Sequence, residues 1–118
     1  MVENIVYTLG VGEPDIDAFA DVRNHRFPRW WGQGGEHSDA FSQNWGNGVL
    51  LWCNPPYFRL GEVACKLIRD QARCILVVPN WQLDQLWWHE IWPYVRGRVS
   101  FSKGVELFEV DGRSVPLT

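Results

Sequence analysis

One stretch limits what this chain can fold into: Val49-Leu50-Leu51-Trp52-Cys53-Asn54-Pro55-Pro56-Tyr57-Phe58. The apolar run Val49 to Cys53 has the character of a strand buried on both faces, as in the middle of a parallel sheet. It stops at an asparagine followed by two prolines. Neither proline can donate to a sheet ladder, and Pro56 bars Pro55 from helical geometry. Asn54, Pro55, Pro56 and Tyr57 therefore form a stiff extended loop at the carboxyl end of a central strand. Open α/β sheets bind ligands at that edge. The loop offers an amide side chain, carbonyls whose own nitrogens carry no hydrogen, and an aromatic face. Those groups suit a planar base with an exocyclic amine. The plainer alternative is a turn that only ends a strand.

The flanking pattern supports an α/β reading. Leu60, Val63, Ala64, Leu67 and Ile68 recur at helical spacing, with Glu62, Lys66 and Asp70 on the other side. That helix leads to Cys74-Ile75-Leu76-Val77-Val78, a second buried strand. Strand, helix, strand predicts a right-handed crossover and parallel pairing. Pro79-Asn80-Trp81 ends the second strand at the same edge as Asn54. Before the central strand, alternation predicts a short strand over Asp15 to Phe19 and a second over Phe27 to Trp31, broken by Pro28. A third is expected over Asp39-Ala40-Phe41-Ser42. Gly32 to Ser38 is a loop without the Gly-Lys-Ser/Thr ending of a phosphate cradle. Asn4 to Gly12 is open between helix and strand.

After the second buried strand, Asp84 is the expected cap of a helix to about Trp92. Its apolar residues are too many for one stripe, so one or two tryptophans should be partly exposed. Val99 to Ser102 and Val105 to Val110 flank Lys103-Gly104 and predict an antiparallel hairpin at one edge. The expected fold is a single α/β domain over residues 1–118, a sandwich around a mainly parallel sheet.

Composition narrows the function. The formal net charge of −3 argues against a general nucleic-acid coat protein, though not against a local basic face. Arg23, Arg26 and Arg29 recur every third residue. They are either phosphate contacts beside the ligand edge or solvated surface. Most of the eight tryptophans are expected in the core, with Trp87 of the Trp87-Trp88 pair as a candidate stacking surface. No apolar run reaches membrane-spanning length and no signal-peptide pattern opens the sequence. The three cysteines, Cys53, Cys65 and Cys74, sit inside apolar patterns and read as core residues. His25, His37 and His89 lack metal-ligand spacing. These features imply an intracellular, reducing location, cytoplasm or nucleus.

Three stretches together resemble a known family: Asp17-Ala18-Phe19-Ala20 with Asn24, Asp39-Ala40-Phe41 with Trp45, and Asn54-Pro55-Pro56-Tyr57. With Pro79-Asn80-Trp81, they are similar to the small Dam-like adenine DNA methyltransferases of phages, and especially to the methylase-like domain in polyproteins of DIRS-type and related retroelements. The similarity runs from about Gly12 to Tyr94. It implies a Rossmann-like methyltransferase fold with S-adenosylmethionine across the carboxyl ends of the first strands. Carried over, Asn54 and Pro55 would bind the target amine, within a loop that Pro56 stiffens, and Tyr57 would stack on the flipped base. Asp17, Phe19 and Ala20 would lie by the methionine end of the cofactor, and Asp39 and Phe41 by its adenosine. The implied partner is DNA, with RNA and other domains of a replication polyprotein as alternatives, and no membrane. Two departures stand out. The turn after the first strand, Asp21-Val22-Arg23-Asn24, has no glycine, and no insertion is large enough for a separate target-recognition domain.

Three functions remain open at this point. One is adenine amino-methylation of DNA. Another is a catalytically inactive descendant that binds nucleic acid or a partner. The last is methylation of another planar amine, in cytosine, an RNA base or a protein glutamine.

Overall fold

The computed structural model describes residues 10–80, 83, 85–101 and 104–113. The expectations placed on residues 4–9, Trp81, Asp84 and Lys103 lie outside the described residues. Five strands form one sheet: β1 (Ile16–Asp17), β2 (Leu50–Cys53), β3 (Arg73–Pro79), β4 (Val95–Phe101) and β5 (Val105–Asp111), in the order β1-β2-β3-β5-β4. Two helices accompany them, α1 (Leu60–Arg69) and α2 (Leu86–Ile91).

All four residues of β2 are buried, as its unbroken apolar run requires. It pairs in parallel with β1, Ile16 opposite Leu51, and with β3, Leu51 opposite Cys74 and Cys53 opposite Leu76. The two apolar strands are thus adjacent, parallel and interior, as expected. Asp15 fixes the register of β1, since its amide donates to the Leu50 carbonyl at 2.8 Å and its carboxylate accepts the Leu50 amide at 2.8 Å.

The C-terminal pair is antiparallel, but it is not an appendage at the edge. β5 lies between β3 and β4, with Leu76 opposite Phe108 and Val99 opposite Leu107. The sheet is therefore mixed, with two parallel and two antiparallel strand interfaces, and not mainly parallel. The apolar alternation of β5 explains its interior place: Leu107, Phe108 and Val110 are buried on alternate faces.

One face of the sheet carries the main core. Leu51, Cys53, Cys74, Leu76, Val78, Phe108 and Val110 pack with Val63, Ala64 and Leu67 of α1 and with Trp87 and Ile91 of α2. α1 buries Leu60, Val63, Ala64 and Leu67, the stripe that its spacing predicted. It ends in a Schellman arrangement: the Ala72 amide donates to the Leu67 carbonyl at 3.0 Å and the Gln71 amide to Ile68 at 3.2 Å, with Gln71 at φ +53°. The other face holds a smaller cluster of Phe27, Trp52, Ile75 and Leu107, flanked by Val11, Val77, Val99 and Val105. The described helices contribute nothing to it.

Two predicted strands are not strands. Asp39 instead caps a 3-10 turn over Ala40–Ser42, its carboxylate accepting the Phe41 amide at 3.0 Å. An aspartate at that position bends the chain more readily than it extends it. The segment Phe27 to Trp31 makes only isolated contacts, a parallel bridge of Asp17 with Trp30 and one of Trp31 with His37. Pro28 denies it a continuous ladder. Cys65 also departs from expectation: it is exposed, whereas Cys53 and Cys74 are buried.

Candidate active site

β1 and β2 end side by side, and the chain leaving each of them walls a cleft of about 450 Å³. That volume lies within the usual range of small-molecule sites, about 300–1,000 Å³. Ala18, Phe19, Ala20, Asp21 and Asn24 form the wall beyond β1, and Asn54, Pro55 and Pro56 the wall beyond β2. The segment Ser38 to Phe41 and the pair Trp31-Gly32 close the remaining side, and Arg59 lies at the lip.

Each wall is held by identifiable contacts. Phe19, Phe41 and Trp45 form an aromatic platform with centroids 5.4, 5.7 and 5.9 Å apart. Trp45 is its buried anchor: its indole donates to the Ala40 carbonyl at 2.8 Å and its amide to Asp70 Oδ2 at 3.0 Å. Asp70 in turn accepts Lys66 Nζ at 2.8 Å, and Lys66 lies over the Trp45 ring at 5.3 Å. Burial pushes the Asp70 carboxyl up, but the Lys66 ammonium and the Trp45 amide prevail and hold it below the usual carboxylate range.

The Trp31-Gly32 wall depends on a close approach of two backbones. The Ala20 amide donates to the Trp31 carbonyl at 3.0 Å. Gly32 has φ +142°, and a Cβ there would lie 1.7 Å from the Ala20 carbonyl oxygen. Only glycine lets the two chains pass this closely.

The loop after β2 keeps the geometry that its prolines impose. Pro56 has φ −54° and ψ 134°, and a 3-10 turn over Tyr57–Arg59 follows it. The Arg59 amide donates to the Pro56 carbonyl at 2.9 Å, closing that turn. The turn brings the Arg59 guanidinium over Phe41, 4.2 Å from the ring centroid, while its nitrogens bond Glu62 at 3.0 and 3.3 Å. Arg59 holds the Glu62 carboxyl below its ordinary value.

The structure thus brings Phe19, Ala20, Asp39, Phe41, Asn54, Pro55 and Pro56 to one cleft. It does not bring the other candidates there. The Asp17 side chain is buried off the cleft; Oδ2 accepts the Arg26 amide at 2.9 Å and Oδ1 has no hydrogen-bond partner. Burial pushes its carboxyl up, against the backbone amides of Arg26 and Phe19 and the charges of Arg26 and His25. Tyr57 is 53% exposed at the surface beyond the lining. Of the three arginines, Arg29 is bonded to Glu36 at 2.8 and 3.2 Å, and Arg26 lies over Trp52 at 5.4 Å. Arg23 lies between the cleft residues Asp21 and Asn24, and its amide donates to Asp21 Oδ1 at 2.8 Å. Trp87 is 8% exposed and packs in the core, so it presents no face to a base; among the described residues of that region Trp92 is the exposed tryptophan.

Sequence reasoning missed Arg59, Trp31 and Ser38 as cleft residues. A signal existed for Arg59: three residues after a proline that starts a turn, a side chain comes back over the preceding wall. Trp31 and Ser38 had no comparable local signal, since a long-range chain crossing places them. Among the described residues, no group of three His, Cys, Asp or Glu could hold a metal ion, and no helix is long and apolar enough to cross a membrane.

Comparison with known proteins gives no further constraint: no protein-family model, no curated protein and no solved structure matches the chain.

Proposed function

We propose that this domain transfers a methyl group from S-adenosylmethionine to the exocyclic amine of adenine in DNA, within a Rossmann-like methyltransferase fold. One observation carries the reading. The loop suited to an aryl amine and the segments suited to the cofactor, distant in sequence, line a single cleft.

The lining fits such a cofactor. S-adenosylmethionine combines an aromatic base, ribose hydroxyls, an ammonium and a sulfonium. Phe19 offers an aromatic surface, which attracts both a base and a sulfonium cation, whereas the Phe41 ring already carries the Arg59 guanidinium. Asp21 and Asp39 offer acceptors for hydroxyl and ammonium groups. When bound, the cofactor supplies an already activated methyl group. The protein's part is then positioning and charge. An aryl amine is a poor nucleophile because its lone pair is delocalised into the ring. The Asn54 side-chain oxygen and the Pro55 carbonyl would accept its two hydrogens and draw the nitrogen toward tetrahedral geometry. Fixed acceptors of this kind act without reorganising during the reaction. Tyr57, outside the cleft, would stack on an adenine rotated out of its duplex.

A second reading has its own support. The Asp21–Asn24 turn is closed on itself by reciprocal backbone bonds of 3.3 and 3.1 Å, so those amides are not offered to a ligand. That favours an inactive descendant that binds nucleic acid or a partner domain. Titration calorimetry with S-adenosylmethionine separates the two. Saturable heat, followed by N6-methyladenine in DNA digests, is the expected result. Absence of both removes the enzymatic reading, and methylated RNA or protein without methylated DNA redirects it to another amine.

A further inference from the structure

The two partners of the proposed reaction belong to different walls of the cleft. Asn54 and Pro55, which would take the amine, stand on the chain that leaves β2, whereas Phe19, Asp39 and Phe41 stand on segments that precede it. Transfer needs those walls at a fixed separation, since a displacement of about 1 Å can cost about a hundredfold in rate. The Phe41 wall is anchored at its base, where the Trp45 amide donates to Asp70. At the lip, Arg59 crosses from one wall to the other. It belongs to the turn that follows Pro56, yet its guanidinium lies 4.2 Å from the centroid of the Phe41 ring. Phe41 in turn backs Phe19, with centroids 5.4 Å apart at 64°.

Glu62 decides where that guanidinium lies. Arg59 Nε and Nη2 donate to its two carboxylate oxygens at 3.3 and 3.0 Å. A planar fork bonded at two points is fixed in orientation as well as in place. Glu62 foremost, and then Asp39 on the far wall, stabilise the guanidinium charge. The two side chains are 39% and 59% exposed, and an ion pair in that much water adds little to stability. What the pair fixes is the position of Phe41. We propose that Arg59 is a positioning residue for methyl transfer, a strap that sets the separation of the two walls, and that Glu62 acts through it. This rests on the methyltransferase reading and adds two residues that touch neither the amine nor the methyl group. Arg59 needs no anion from the ligand, because its fork is filled by Glu62 and its flat face by Phe41.

The test uses the full chain, tritiated S-adenosylmethionine and DNA lacking N6-methyladenine. Cofactor affinity is measured by calorimetry, and the rate of a single turnover at saturating cofactor. Arg59→Ala should slow the turnover by about thirtyfold or more and change cofactor affinity by less than about threefold. Glu62→Ala should slow it by about tenfold. Glu62→Gln, whose amide oxygen still accepts from the fork, should stay within about threefold of the parent. The double variant should be no slower than Arg59→Ala alone, because Glu62 acts through Arg59. Melting temperatures should match the parent's, since both side chains are exposed. An Arg59→Ala protein that turns over at the parent rate overturns the strap. So does one whose loss lies in cofactor affinity, a Glu62→Gln protein as slow as Glu62→Ala, or losses that multiply in the double variant. Fluorine NMR of 4-fluorophenylalanine placed at position 41 reads the contact without cofactor or DNA. Its resonance should move in Arg59→Ala and in Glu62→Ala, and no further in the double variant; an unmoved resonance overturns the strap. A parent that shows these shifts but neither binds S-adenosylmethionine nor methylates DNA leaves the strap standing and removes the methyltransferase reading.

Discussion

Replacing Asp70 by Asn tests what holds the cleft's aromatic platform. Asp70 lies at the end of α1, where Lys66 Nζ and Arg69 Nε of the same helix lie 2.8 and 3.4 Å away, and it ties that helix to the Trp45 amide of the platform. Asparagine keeps an acceptor for the Trp45 amide and removes the negative charge. Lys66, whose side chain is only 7% exposed, is then left charged and unpaired. Exposed ion pairs contribute less than about 1 kcal/mol, and breaking a fully buried pair costs about 3–5 kcal/mol. The Lys66–Asp70 pair is mostly but not wholly buried, so a loss of about 2–4 kcal/mol is expected at pH 7. Against a typical domain stability of about 5–15 kcal/mol that is a large fraction. It corresponds to a melting temperature lower by about 8–16 °C.

The pH dependence carries a definite sign. The Asp70 carboxyl is depressed in the folded state. Its contribution is therefore fully present above the unfolded value, about 3.9, and is lost as pH falls through the lower folded value. The gap between parent and Asp70→Asn should be constant from neutral pH down to about 5 and close below about 4. Thermal melting of both proteins across that range is the assay. Adding Lys66→Met to Asp70→Asn should recover much of the loss, because no buried charge remains. A gap that persists unchanged at pH 3, or one below about 0.5 kcal/mol at pH 7, would refute the charge argument.

Asn54→Ala should leave melting almost unchanged, because the residue is exposed, and should slow single-turnover methyl transfer roughly a hundred- to thousandfold, about 2.7–4 kcal/mol. A variant that methylates at the parent rate removes the loop from the chemistry. Tyr57→Ala should weaken capture of the flipped base by about 1–3 kcal/mol, and Tyr57→Phe should be mild because the ring does the stacking. Equal losses in DNA affinity for the two variants would instead assign the effect to the hydroxyl. Gly32→Ala should destabilise the fold by at least about 2 kcal/mol in urea unfolding, since the new Cβ meets the Ala20 carbonyl. A neutral result would mean that the two backbones do not run as close as described.

What was legible in the sequence was mostly what is local. The run Val49 to Cys53, the stripe of α1 and the run of β3 each repeat one period long enough to exclude the alternatives, and all three elements occur. The loop's end-of-strand position followed from two prolines alone. Asp39-Ala40-Phe41-Ser42 is too short for period to decide, and the capping chemistry of Asp39 settled it as a turn. The partners of two of the arginines are set by the fold and not by their spacing. Glu36 reaches Arg29 across a loop, and Trp52 lies under Arg26 from the sheet. Trp87 and Trp88 could not be told apart, since adjacent helical residues differ in burial only through the phase of a short helix. The place of β5 was the least legible: its pattern says that both faces are covered, not which strand it joins.

That place has a consequence for how the chain is made. β3 is completed by a strand about 32 residues downstream, as the pairing of Leu76 with Phe108 shows. At synthesis rates of about 5–20 residues per second, the two are separated by roughly 2–6 s. During that interval β3 is paired with β2 along Arg73 to Leu76 on one edge and is bare along the other, and an unpaired apolar edge is a template for pairing with other chains. Pairing over such a separation is also intrinsically slow. A chain released between β4 and β5 should therefore aggregate, and not settle into a smaller sheet. Light scattering of a fragment ending at residue 101 beside the full chain would show it. For this protein the vulnerable moment in folding belongs to an apolar strand inside the sheet, which waits for the last.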